Sequence, residues 1–308
     1  MVRSNLQKGL LILKGMAMGA ADVVPGVSGG TIAFISGIYE ELIDSINKIN
    51  LNSLKIIKNE GLSSFWKYIN GTFFVFLFSG ILISVFTLAK IVTYLLETHA
   101  VVLWSFFFGL ILASIWLVGK TIKEWTPTVI ISLLIGAAIA FFIASIQTVG
   151  SVDSKLFIVL SGAIAICAMI LPGISGSFIL VLLGSYHVVL SAIKERDLIV
   201  IGLFGLGCFI GLMTFARVLK FLFSKFHNIT IALLTGFMIG SLYKIWPWKI
   251  NVGNSPLVVH SNGKEDWMQA NVLPSNFKGD PQLLFAVLFL LIGLGLIVIL
   301  ERLANKIK

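Results

Sequence analysis

The sequence predicts an all-α polytopic membrane protein with an inverted-topology repeat, and three observations carry that prediction. Of the 308 residues, 57% are hydrophobic and 12% charged, and the mean hydropathy is +1.00. That is more apolar surface than the polar groups of a soluble domain can cover. Uncharged runs such as 100–119 and 282–300 have the length at which a helix crosses about 30 Å of hydrocarbon. The pattern Pro-Gly-x-Ser-Gly-small occurs twice inside apolar runs, in VVPGVSGGT (23–31) and in LPGISGSF (171–178). Alternating segments of about ten residues, which a membrane β-barrel requires, do not occur in the sequence.

Six runs predict spanning helices: 70–96, 100–119, 127–148, 199–223, 229–246 and 282–301. Two more apolar regions, 7–46 and 156–193, are each broken near the middle by the repeated motif. As one helix, either would measure about 55–60 Å, too long for a single crossing. Each half alone is short for a span. A re-entrant helical hairpin fits both regions. Irregular backbone at membrane depth is tolerated where protein buries it or a wet cavity solvates it.

The motif belongs to a longer duplication. Residues 22–46 align without gaps on 169–193, with Gly37 on Gly184, Tyr39 on Tyr186 and Ile46 on Ile193. The match then continues at a shorter offset: Gly80 on Gly207, Lys90 on Arg217, Gly109 on Gly236, Ser114 on Ser241. The offset falls from 147 to 127, which places a 20-residue insert in the polar stretch near 47–70. The chain therefore divides into a first repeat over 1–120, a linker transmembrane helix over 121–150 and a second repeat over 151–247. An extracytoplasmic loop over 248–281 and a C-terminal transmembrane helix with a basic tail over 282–308 complete it. In the first repeat the hairpin is 7–46, the insert 47–69 and the spans 70–96 and 100–119. In the second the hairpin is 156–193 and the spans 199–223 and 229–246. If each copy crosses an even number of times, one linker helix inverts the second copy, the architecture of secondary transporters with a site at the repeat interface.

Loop charges orient this arrangement. Twelve Lys and Arg fall on the side of the N-terminus and six on the other, which predicts cytoplasmic N- and C-termini. Most of the formal charge of +9 is this bias, and no nucleic-acid partner is implied. The basic N-terminal segment lacks a cleavage-site pattern and reads as retained. The insert reads either as a basic amphipathic helix on the inner leaflet or as a solvated connector. Cys167 and Cys208 lie in apolar runs and read as small core residues.

The motifs are the candidate chemistry. A lone Pro-Gly in a membrane helix is ordinarily a kink. Here Ser28, Gly29, Gly30 and Thr31 follow the first break, and Ser175, Gly176 and Ser177 follow the second. Each set opens a new helix, whose first N–H groups lack intrahelical partners, while glycine admits close approach of a ligand. With hydroxyls alongside, that is an anion site. Duplication favours this reading over two kinks. Lys90 and Arg217 occupy matching positions within spans, and two readings stand: snorkelling to the interface, or pairing with an anion in a cavity. Lys220 and Lys244 lie closer to helix ends and read as snorkelling. Asp22 precedes the first break, where the second copy has Met169. It is a candidate proton or cation site, or partner of a cavity cation, against a simple helix-terminal role. Glu40, opposite His187, is a weaker coupling candidate. The sequence holds no metal-ligand cluster, nucleotide-binding loop or catalytic dyad, so no enzyme activity, metal or cofactor is expected.

MGAADVVPGVSGGTIAFISGIYEEL together with LPGISGSFILVLLGSY resembles the bacterial polyprenyl-phosphate transporter family over essentially the whole chain. The resemblance implies a multi-pass protein of the bacterial plasma membrane that returns undecaprenyl phosphate from the outer to the cytoplasmic leaflet for cell-wall synthesis. By motif position it implies phosphate-binding segments that include Pro25, Gly26, Ser28, Gly29, Gly30 and Thr31, and Pro172, Gly173, Ser175, Gly176 and Ser177. The implied partners are a polyprenyl-phosphate lipid and the bilayer. Alternating access with proton or ion coupling is the expected mechanism. The other readings are a transporter or channel for a soluble anion, and an intramembrane lipid phosphatase; few polar residues in the spans favour a lipid over an aqueous anion.

Overall fold

The computed structural model describes residues 3–23, 28–145, 154–253, 258–259 and 265–307. Its helices follow the apolar runs closely. They are α1 (Asn5–Val23), α2 (Gly29–Ile35), α3 (Tyr39–Asn47), α4 (Leu51–Tyr68), α5 (Gly71–Thr98), α6 (Ala100–Gly119) and α7 (Pro127–Ser145). After the second motif's lead-in come α8 (Lys155–Ile170), α9 (Gly176–Leu182), α10 (Tyr186–Glu195), α11 (Leu198–Lys225), α12 (His227–Ser241) and α13 (Leu283–Ile307). Four of them, α5, α6, α7 and α11, are long and apolar enough on their own to cross a membrane. The protein is thus a polytopic helical membrane protein. The helix expected over 229–246 stops at Ser241, and a turn carries the chain through Ile245. The loop beyond it forms two small antiparallel hairpins, β1 (Lys249–Val252) with β4 (Met268–Asn271) and β2 (Val258–Val259) with β3 (Glu265–Asp266).

Each broken region is cut twice. Beyond the Pro-Gly motif the apolar segment is split again, at Gly37 (φ 72°) between α2 and α3, and at Gly184 (φ 69°) between α9 and α10. Both glycines take the left-handed conformation that L residues adopt at a cost. The consequence is a seven-residue helix after each motif and a separate amphipathic helix beyond it. The insert is also helical. Asn50 caps α4 by accepting from Asn52 N and Ser53 N, and Gly61 (φ 83°) kinks it. Its Leu51, Leu54, Leu62 and Trp66 are exposed.

Helices pair in parallel, side by side, through glycine. A Cβ on Gly80 would strike the Ile12 carbonyl, and one on Gly15 the Leu77 carbonyl, so α1 lies directly on α5. The second copy repeats this crossing: Gly207 faces the Val159 carbonyl and Gly162 that of Phe204, joining α8 to α11. The next crossings are exchanged between copies. Gly109 of α6 faces Leu290 of α13 and Gly293 faces Phe106, while Gly236 of α12 faces Leu133 of α7 and Gly136 faces Leu233. Thus α7 and α13, outside the duplicated units in the sequence reading, make matched contacts. The short segment LLIG recurs in them at 133–136 and 290–293, 157 residues apart. Between apolar helices in lipid there is no hydrophobic drive to associate, and such backbone approach supplies dispersion contact instead. Outward side chains such as Phe86, Phe142 and Phe209 stay exposed, as a surface facing acyl chains requires.

Candidate functional site

The two Pro-Gly motifs meet. α1 ends at Val23 and α8 at Ile170, and the short helices α2 and α9 restart at Gly29 and Gly176. Ser28 is extended (φ −125°, ψ 136°) and its Oγ accepts from Gly30 N at 3.0 Å. The same hydroxyl donates to the Met169 carbonyl, 141 residues away, at 2.8 Å. In return Gly173 N donates to Thr31 Oγ1 at 2.9 Å. Two hydroxyls of the first motif therefore satisfy a carbonyl and an N–H of the second copy's broken backbone, the condition for irregular chain inside a bilayer. Ser28 and Thr31 are fully buried there. Gly30 has no room for a side chain, because its Cβ would enter the carbonyls of Met169 and Ile170. Gly173 needs φ 83° and lies against the Phe237 carbonyl.

In the second motif Ser175 is extended (φ −95°, ψ 126°) and accepts from Phe178 N at 3.5 Å. Its Oγ is 2.9 Å from that of Ser177. Pro172 and Ser175 are buried while Ser177 is exposed, so one hydroxyl of this pair is anchored in the protein and the other is presented outward. The remaining residues of the first motif, Pro25 and Gly26, lie outside the described residues.

Asp22 reaches the first motif directly. Its Oδ1 accepts from Gly29 N at 2.7 Å, and a Cβ on Gly29 would run into the carboxylate. The start of α2 is thereby filled from within: Gly29 N by Asp22, Gly30 N by Ser28 Oγ, and Thr31 N by the Ser28 carbonyl at 2.9 Å. A carboxylate thus sits on a donor that the sequence assigns to a bound anion. Met169, its counterpart, meets the same site through its carbonyl oxygen.

The other candidates lie elsewhere. Glu40, at the start of α3, is exposed and its Oε1 is 3.3 Å from His227 Nε2. Lys90 on α5 and Arg217 on α11 are both exposed; neither is among the residues that the motifs bring together. Lys220 pairs with Asp44 at 3.0 Å.

Three lysines that the sequence does not assign to the site stand near the motifs. Lys14 Nζ donates to the Ser36 carbonyl at 2.7 Å, tying α1 to the end of α2. It lines a cavity of about 520 Å³ together with Arg3, Glu41, Lys48, Lys67 and Asn70. Arg3 pairs with Glu41, which also accepts from Asn70 Nδ2 at 2.8 Å, so cations outnumber acids in this cavity. Lys244, expected to snorkel, has its ammonium 4.1 Å above the ring of Phe178, the residue after Ser177. Lys249 lies 3.8 Å above the ring of Trp104 and donates to the Lys244 carbonyl at 2.6 Å. A charge set two turns inside the apolar run of α1 was the available signal for Lys14. For Lys249 no signal existed, since a loop brings it into place.

Interlocked helix breaks inside a bundle of apolar helices define a membrane protein with a buried polar centre. Residues 18–259 match the family described as undecaprenyl phosphate translocase-like. The chain is 46% identical over 299 residues to a polyprenyl-phosphate transporter of Vibrio cholerae serotype O1, covering 96% of each chain. It is 32% identical over 260 residues to a polyprenyl-phosphate transporter of Staphylococcus aureus, covering 78% of this chain and 87% of the relative. No solved structure matches. The chain belongs to the undecaprenyl phosphate translocase-like family.

Proposed function

We propose that the protein carries undecaprenyl phosphate from the outer to the cytoplasmic leaflet of the bacterial plasma membrane, returning the lipid carrier to cell-wall synthesis. The observation that carries this reading is the meeting of the two motifs, Ser28 on Met169 and Gly173 on Thr31. It gathers hydroxyls and backbone donors at one place inside an apolar bundle. A phosphate head crossing hydrocarbon loses its hydration, and the loss is large unless donors and positive charge replace water. Members named polyprenyl-phosphate transporter in two bacteria supply the substrate class. The prenyl tail stays in lipid, passing along exposed apolar faces such as those of α5 and α11.

The duplicated crossings support an inverted-topology repeat. Each copy comprises a re-entrant break, two spans and, by the matched contacts of α7 and α13, a third helix; an odd number of crossings inverts the second copy. In this orientation both termini are cytoplasmic and the 248–281 loop is outside. Alternating access then opens the paired motifs first toward Lys244 and later toward the Lys14 cavity. Phosphate is held by the segments 25–31 and 172–177, with Lys90 and Arg217 as counter-charges along the path. Asp22 is the coupling group: its carboxylate and the incoming phosphate compete for Gly29 N, so protonating Asp22 removes the competing charge and weakens its hold on the donor. Glu40, paired with His227, is a secondary coupling candidate.

The test is reconstitution in liposomes with labelled undecaprenyl phosphate in the outer leaflet, following head-group accessibility with and without a pH gradient. Wild type is expected to move the label inward. Charge reversal of both Lys90 and Arg217 to Glu is expected to abolish movement while the variant stays folded. Full transport by that variant would remove the two cations from the path. Failure of the wild type to move the lipid, with uptake of inorganic phosphate instead, would replace the lipid reading by the soluble-anion one.

A further inference from the structure

Two lysines converge beside the second motif. Lys244 follows α12 in a turn, and its ammonium lies 4.1 Å over Phe178, next to the outward-facing Ser177. Lys249 opens β1, lies 3.8 Å over Trp104 and holds the Lys244 carbonyl at 2.6 Å. Both are half-buried. The ion pairs Arg3–Glu41, Lys220–Asp44 and His227–Glu40 involve neither lysine. Aromatic faces attract an ammonium but leave its full charge in place. Burial, and then the charge of Lys244, push the Lys249 ammonium down to about 7. Two half-buried cations that repel each other, with no ion-pair partner among the described residues, are stabilised by an anion set between them.

The support is rigid. Trp246 Nε1 donates to the Val272 carbonyl at 2.8 Å and Trp248 Nε1 to that of Pro281 at 2.9 Å. Lys249 pairs with Asn271 across β1 and β4, and Asn271 Nδ2 donates to the Tyr243 carbonyl at 2.6 Å. The loop beyond α12 is thus tied back on itself on both sides of the two lysines. A receptor organised in advance loses less conformational entropy when it captures a ligand. The positions that match them in the first copy, 127 residues earlier, are Leu117 and Ile122, so the pair belongs to one side of the bundle.

We propose that Lys244 and Lys249 form a receiving site for a phosphate monoester, which takes the head group of a prenyl phosphate and passes it to Ser177 and Ser175. This inference rests on the functional reading above and adds to it the point of capture. Lys244 reaches the motif and Lys249 fixes Lys244 through its carbonyl. The aromatic rings of Phe178 and Trp104 hold both ammonium groups until the phosphate displaces them.

The experiment is equilibrium binding of farnesyl phosphate, farnesol and inorganic phosphate to the purified full chain in nanodiscs. Wild type is expected to bind farnesyl phosphate and to ignore farnesol. Each of Lys244→Met and Lys249→Met is expected to bind about tenfold more weakly, the scale of one charge-assisted hydrogen bond, and Lys244→Arg to stay near wild type. Failure of the wild type to bind farnesyl phosphate would overturn the functional reading itself. Binding by wild type with an unchanged affinity in the Lys244→Met/Lys249→Met variant would overturn the receiving site alone. A second measurement needs no variant: amine acylation of the wild type, read by peptide mass spectrometry. Farnesyl phosphate should slow labelling of both lysines at concentrations where inorganic phosphate does not. Unchanged labelling overturns the site, and equal protection by inorganic phosphate overturns its assignment to a lipid head group.

Discussion

Ser28 Oγ donates to the carbonyl oxygen of Met169 at 2.8 Å while accepting from Gly30 N at 3.0 Å. One hydroxyl therefore caps the helix of its own motif and satisfies the broken end of the other copy's helix. Ser28→Ala removes both bonds and leaves a buried carbonyl without its partner, at a cost of about 1–3 kcal/mol in stability. Thr31→Val removes the acceptor of Gly173 N and should cost a similar amount, whereas Thr31→Ser keeps the oxygen and should stay near wild type. Unfolding temperatures in detergent check the three variants. Equal stability of Thr31→Val and Thr31→Ser would mean that the cross-motif bond contributes nothing.

Asp22→Asn keeps an oxygen able to accept from Gly29 N but removes the negative charge. If carboxylate and phosphate compete for that donor, the variant should bind farnesyl phosphate about tenfold more tightly, the order expected for removing one nearby like charge. Its transport should then be slow to release and indifferent to a pH gradient. Both properties are read in the same liposomes, by affinity and by rate with the gradient on and off. A variant that responds to the gradient as wild type does would exclude Asp22 as the coupling group.

Gly109 and Gly236 occupy matching positions 127 residues apart, and each lies against a backbone carbonyl of a helix from the other half, Leu290 and Leu133. Alanine at either site must push two helix backbones apart. Overpacking of this kind costs about 1–3 kcal/mol. The two single variants should lower the unfolding temperature by similar amounts. Gly205→Ala, where a Cβ meets open space, should leave it unchanged or raise it slightly, since alanine is the better helix former. A large difference between the Gly109 and Gly236 variants would break the equivalence of the two crossings.

The extent to which the fold was legible follows from these same residues. Hydropathy locates helices because a segment in lipid has to satisfy its own backbone, and the bounds of α5, α6, α7 and α11 fall within a few residues of the apolar runs. The offset of 147 was visible in the motif and in Gly37 and Gly184, and that of 127 in Gly80 and Gly207, where backbone contact tolerates only glycine. The same signal, LLIG in α7 and α13, was present at an offset of 157 but interrupted by the long 248–281 loop. The second cut at Gly37 and Gly184 was also written as a matched pair, yet a glycine in an apolar run does not announce its φ. At the site, Ser28 and Thr31 were found by type and spacing. The direct bond between the two motifs, the fold-back of Asp22 on Gly29 N, and the approach of Lys249 to Lys244 depend on tertiary closure and loop geometry. No local pattern encodes them.

Lys249 gives the chain a pH signature. It opens β1 outside the spanning helices, and burial with the neighbouring Lys244 charge lowers it from 10.5 to about 7. Between those values the unfolded chain holds a proton that the folded chain has released. Stability therefore rises with pH from about 7 to about 10.5 on account of this group, and is unaffected by it below and above that window. A bound phosphate acts in the opposite sense. It favours the charged ammonium, raises its pKa and draws a proton onto the protein, so the affinity for farnesyl phosphate should fall as pH rises above about 7. Lys249→Met removes both slopes at once. Unfolding temperatures and farnesyl phosphate affinities, measured for wild type and variant from about pH 7 to about pH 9.5, check the two signs together. Parallel curves for the two proteins would show that Lys249 does not titrate in this window, and coincident affinities would show that it takes no part in capturing the anion.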